Sequence, residues 1–108
     1  MKSANLLASK GFIQLNIHLI QTVGLHEAII IGELLSEYNY WEQHGKLDNG
    51  WFYSTVENIQ KRTSLSRYQQ AKAIEHLEEL GVLKTTLRGV PARRYIKIDD
   101  DKLLELFS

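Results

Sequence analysis

Apolar positions along this chain alternate between helical and strand-like spacing. Between Leu25 and Gln43 they recur at helical spacing. Ala28, Ile30, Ile31, Leu34, Leu35, Tyr38 and Trp41 share one broad arc, with Glu33, Ser36, Glu37 and Gln43 outside it. The spacing predicts a core helix with a wide apolar stripe. Ile29 and Tyr40 fall on its otherwise polar side, where they are candidates for contact with another subunit or domain. Upstream, Phe12 to Asn16 reads as a short extended piece. Asn16 is placed to cap a brief helix that runs through Val23 and ends at Gly24.

After the Asn49-Gly50 turn signal, Trp51-Phe52-Tyr53 reads as a short strand. Two short helices follow. Ser54-x-x-Glu57 has capping-box spacing and opens the first, with Val56 and Ile59 inward; Ser66-x-x-Gln69 opens the second. Thr63-Ser64-Leu65 forms the turn between them, and Leu65 is expected to plug the gap. In the second helix Ala71, Ile74, Leu77 and Leu80 read as the buried stripe, and Gly81 as its terminator.

The period then shortens to two. Val82–Leu87 and Arg93–Ile98 read as paired strands around Arg88-Gly89-Val90-Pro91-Ala92, with Ile96 and Ile98 alternating against Tyr95 and Lys97. Asp99 or Asp100 caps a last short helix carrying Leu103, Leu104, Leu106 and Phe107. This order predicts an α+β, mostly helical single domain over residues 1–108. It is a winged helix-turn-helix, with the helix-turn-helix at about 54–80 and a small antiparallel β-wing at about 82–98.

Composition narrows the chemistry. The chain has 108 residues, 44% apolar and 24% charged, enough for one domain with one core. Having no cysteine, it can form neither disulfides nor a thiolate metal site. His18, His26, His44 and His76 lack ligand spacing, so no metal and no cofactor are expected. Nucleophile-elbow, phosphate-loop and paired-carboxylate motifs are missing, and an enzyme is not expected. The N-terminus lacks the apolar stretch of a signal peptide and the longest apolar run is Ala28 to Ile31, so a cytoplasmic protein is the expectation.

Net charge is zero, but its distribution is not uniform. Residues 1–49 hold three basic and five acidic residues, a net of −2. Residues 50–98 hold nine basic and four acidic residues, a net of +5. Residues 99–108 hold one lysine and four acids, a net of −3. The helix-turn-helix and wing therefore carry the positive charge, and local field steers a polyanion. The partner expected is double-stranded DNA. Arg67, Tyr68, Gln69 and Gln70 in the first turn of the second helix, followed by Lys72, are the candidate groove-facing set, with Ala73 small enough for close approach. Arg88 and Arg93 at the wing tip are candidate phosphate or minor-groove contacts. Arg94 shares the phase of Ile96, which leaves it either a DNA contact or a partner for a carboxylate near the sheet. Lys61 and Arg62 close the first helix, where they either touch phosphate or complement its dipole.

With these residues placed, the chain resembles the N-terminal winged-helix domain of replication initiation proteins of phages and mobile elements of Gram-positive bacteria, the DnaD-like or replisome-organizer group. The resemblance lies in Gly24-Leu25-His26-Glu27-Ala28-Ile29, Trp51-Phe52-Tyr53-Ser54-Thr55, Leu65-Ser66, Ala73-Ile74, Leu77-Glu78, Gly81-Val82-Leu83 and Arg94-Tyr95-Ile96-Lys97-Ile98-Asp99, and spans about residues 12–104. It implies origin recognition and recruitment of replication machinery. Members of that group usually carry a further C-terminal region for partner contact, so an isolated domain or a small stand-alone protein is expected here. Two other readings stay open: a small transcriptional regulator of the same fold, and a winged helix that pairs with a second copy or another replication protein through Ile29 and Tyr40.

Overall fold

The computed structural model describes residues 1–108. Six helices and three strands follow one another as α1 (Lys2–Leu7), α2 (Ile17–Val23), α3 (Leu25–Gln43), β1 (Trp51–Tyr53), α4 (Val56–Thr63), α5 (Arg67–Glu79), β2 (Leu83–Arg88), β3 (Arg93–Ile98) and α6 (Asp100–Glu105). The strands form one antiparallel sheet in the order β1-β3-β2. Phe52 lies opposite Ile96 in one ladder, and Leu83 opposite Ile98 in the other. The α+β winged helix expected from the sequence is the observed fold. No helix is long and apolar enough to cross a membrane.

Each boundary has a local cause. Asn16 accepts from the Leu19 amide at 3.1 Å and starts α2. Gly24, at φ 112°, turns the chain directly into α3. Ser66 and Gln69 form a complete reciprocal capping box at the head of α5, as the spacing predicts. At the head of α4 the cap lies one residue later than expected. Thr55, not Ser54, accepts from the Asn58 amide at 3.0 Å. Ser54 is still part of the sheet: its amide donates to the Arg94 carbonyl at 3.1 Å, extending the β1–β3 ladder. The helix α1 was not foreseen, and none of its residues is buried.

The core lies where α3 meets α2, α4, α5 and the sheet. Ile30, Leu34, Phe52, Ile59, Leu77 and Ile96 are almost wholly excluded from solvent. Burial of such side chains contributes roughly 1.5–3 kcal/mol each. Two expectations for α3 are corrected. Glu33 and Glu37, placed outside the apolar arc, are buried, while Leu35 is exposed. The cause is that α3 is enclosed on more than one side, so α4 and β3 cover the flank that a half-exposed helix would leave to water. Of the pair on its polar side, Ile29 packs partly against the core and Tyr40 stands more than half exposed.

Gly32 explains how the N-terminal segment crosses α3. A Cβ at this position would lie 2.4 Å from the Gln14 carbonyl oxygen and 2.5 Å from Ile13 Cγ2. Glycine in mid-helix costs about 1 kcal/mol relative to alanine, and here it gives the crossing chain its passage.

Candidate nucleic-acid interface

The exposed stripe of α5 consists of Arg67, Tyr68, Ala71, Lys72, Glu75, Glu78 and Glu79. Its cations lie in the first two turns and its acids in the last two. Tyr68 is 70% exposed, and Lys72 Nζ sits 5.8 Å from its ring centroid. Arg67 Nη2 lies 3.4 Å from Glu57 Oε1, with both side chains about three-quarters exposed. Such a surface pair contributes little and yields readily to a stronger anion.

The charge order of α5 opposes its own dipole. The first turn holds Arg67 and no acid, and the last turn holds Glu78 and Glu79 beside His76, whose Nδ1 lies 2.7 Å from Glu27 Oε2. Helices are stabilised by the reverse arrangement, by about 0.3–1 kcal/mol per charge. A surface helix selected only for stability would not be charged in this sense.

Two residues of the expected reading set are corrected. Gln70 does not face outward. It is 1% exposed, and its amide nitrogen donates to the carbonyls of Val56 at 3.1 Å and Leu65 at 3.0 Å. It ties the end of the inter-helix turn to the start of α4. The buried stripe of α5 is Gln70, Ala73, Ile74 and Leu77, so Ala73 is interior and Ala71 takes the outward position where a small side chain permits close approach. The residues Ala71, Ile74, Leu77 and Leu80 recur at threes, a period that drifts off a 3.6-residue helix. The buried set follows i, i+3, i+4, i+7, and that pattern was present in the sequence. Leu80 is accordingly 40% exposed. Gln69 is partly exposed, but its Oε1 accepts from the Ser66 amide at 2.9 Å, so part of its hydrogen-bonding capacity is engaged in the cap.

The remaining arginines divide by commitment. Arg62 Nε donates to buried Glu33 at 2.6 Å. Arg88 is ion-paired with Asp48 at 2.7 Å, with its guanidinium 5.2 Å from the Trp51 ring and 4.9 Å from the Tyr95 ring. Arg94 Nε donates to the Ser54 carbonyl at 3.2 Å. Burial lowers the Arg94 pKa from its ordinary value, and Glu37 is the first of the neighbours that oppose the shift. Of the two readings open for Arg94, packing beside the sheet near a carboxylate is the observed one. Arg93 is exposed above the Tyr53 ring at 5.3 Å, and Lys61 is exposed at the end of α4. Of the cations singled out from the sequence, those not held inside the fold are Lys61, Arg67, Lys72 and Arg93. The three strands themselves carry five cations and no acid.

The fold defines the class: a winged helix-turn-helix. Among solved structures, a chain from a Rep–DNA complex superposes with a TM-score of 0.67, covering 92% of this chain and 81% of that one at 15% identity. The N-terminal domain of a DNA-binding protein superposes with a TM-score of 0.60, covering 98% of this chain and 89% of that one at 14% identity. At these identities the likeness establishes the fold. No protein-family model matches the chain. No curated protein matches its sequence significantly.

Proposed function

We propose that this chain binds double-stranded DNA, with the N-terminal end of α5 in the major groove. Arg67, Tyr68 and Lys72 approach the bases or their phosphates, and Ala71 allows close contact. Lys61 and Arg93 meet the backbone on either side. The observation that carries this reading is the charge order of α5. Cations crowd the end that a groove would receive, against the helix dipole, and acids occupy the end that would leave it. Both similar folds come from DNA-binding proteins, which supports the reading. The Rep–DNA complex among them supports the narrower role of origin recognition in a phage- or plasmid-type replication initiator.

Fluorescence anisotropy with a labelled duplex tests the binding. With about four phosphate contacts, the log–log salt dependence has a slope of roughly −4. No binding at low salt overturns the proposal. A selection of bound sequences tests the narrower role. Enrichment of an iterated or AT-rich site supports origin recognition, and a promoter palindrome overturns it.

A further inference from the structure

We propose that the cleft between α3, α4 and the end of β1 binds an organic cation, an ammonium or guanidinium group carried by a polypeptide side chain or by a free amine. The cleft encloses about 420 Å3 and is walled by Tyr40, Trp41 and Tyr53, with Arg62, whose Nε is held by Glu33, also lining it. Glu37 and Ser54 also line it, at 9% and 3% exposure. By distance and angle neither Glu37 Oε2 nor Ser54 Oγ has a hydrogen-bond partner, though the two side chains lie close enough for Ser54 to act on the Glu37 charge.

Two unpartnered polar atoms belong to the walls of this cleft. Five buried side-chain polar atoms in the protein lack a partner: Glu33 Oε2, Glu37 Oε2, Ser54 Oγ, Gln70 Oε1 and Arg94 Nη2. Four are oxygens. Of these, only Glu37 Oε2 and Ser54 Oγ belong to residues that line the cleft, and both can accept. Leaving a buried acceptor unmade costs the full desolvation of that group, about 1–3 kcal/mol. A ligand rich in N–H groups supplies what is missing. The aromatic walls favour a cationic one, because ring faces attract positive charge.

The charges around Glu37 support the same ligand. Glu33 lies on its own helix, Arg94 approaches from β3, and Arg62 of α4 is held by Glu33. Desolvation first, and the Glu33 carboxyl next, raise the Glu37 pKa to about 8, with Ser54 and Arg94 opposing. At neutral pH Glu37 therefore holds a proton even with Arg94 and Arg62 nearby. A bound ammonium or guanidinium exchanges for that proton, and the net charge of the cluster does not change. Tyr40 at the mouth is more than half exposed, so a side chain presented by a partner has access. This inference does not depend on the DNA reading.

The chain has two tryptophans, so a Trp51→Phe variant leaves Trp41, in the cleft wall, as the lone indole. The probes are butylammonium, ethylguanidinium and a short neutral peptide bearing one arginine, with acetate as the opposite charge. The expected result is a saturable change in Trp41 emission with the cations and none with acetate. Affinity is expected to rise about tenfold per pH unit and level off above about 8. Glu37→Gln is expected to weaken binding at least tenfold. Tighter binding of the peptide than of the free cations assigns the site to a partner's side chain, and equal binding assigns it to a free amine. No saturable response above pH 8, a preference for acetate or a pH-independent affinity overturns the proposal. The pH series on the Trp51→Phe protein decides the question even if Glu37→Gln does not fold.

Discussion

The exposed stripe of α5 and the seam between α3, α4 and the sheet both concentrate polar side chains, and they use them in opposite ways. On α5, Arg67 and Lys72 stand in water with weak attachments or none. In the seam, Glu33, Gln70 and Arg94 are wholly or largely withdrawn from water and held by specific partners, and Glu37 is buried among them with an unpartnered oxygen. The lesson is that polarity alone does not mark a binding face. What separates the two regions is whether each group stands in water or is enclosed by the fold.

That division can be broken by measurement. The largest effect is expected from pH. Glu37 has its ordinary value of 4.5 unfolded and about 8 folded, so the native state retains a proton that the unfolded state loses. A raised carboxyl stabilises the fold at low pH, and that contribution is lost as pH rises from about 4.5 to 8, on the order of a few kcal/mol. Urea unfolding of the wild type and of Glu37→Gln across this window checks it, and the variant is expected to lose the slope. Next is Gln70→Ala, which leaves the Val56 and Leu65 carbonyls without their donor and opens a cavity. Chemical denaturation is expected to show a loss of about 2–3 kcal/mol, with duplex affinity of the folded protein unchanged. An affinity loss at full stability would return Gln70 to the front.

Smaller effects sharpen the other side of the comparison. Arg67→Ala is expected to change stability by no more than about 0.5 kcal/mol while lowering discrimination between duplexes by about 1–3 kcal/mol if its contact is bidentate. Anisotropy on selected and random duplexes separates that outcome from a uniform loss, which would make Arg67 a phosphate contact. The smallest difference lies within the wing. Arg88→Ala removes a guanidinium held between two rings and an aspartate, and its thermal midpoint is expected to fall by the equivalent of about 1 kcal/mol. Arg93→Ala is expected to leave the midpoint unchanged and to reduce the salt slope of DNA binding by about one.

The sequence discloses the architecture well because its punctuation is local. Asn16, Gly24 and the Ser66–Gln69 box each act within four residues, and strand alternation places Ile96 inward without help from the rest of the fold. What it misjudges depends on enclosure. Glu33 and Glu37 look solvent-facing because a single helix has a polar side, and only the packing of α4 and β3 against that side buries them. Gln70 looks like a reader for the same reason, since glutamine is usually exposed, and the inter-helix turn that claims its amide is set by tertiary geometry. The cleft beside Glu37 joins residues from both halves of the chain and has no linear signature.

The reversed charge order of α5 has a consequence for how salt acts on the whole protein. Arg67 at the head and Glu78 and Glu79 at the tail oppose the helix dipole, so screening relieves a strain in the free protein. The same screening weakens attraction to phosphate. Rising ionic strength therefore firms the helix while releasing its ligand. Bound DNA supplies the missing negative charge at the N-terminal end and does for the helix what salt does in its absence. Occupied and empty states should then melt with opposite salt dependence, and the two curves should converge as the salt concentration rises.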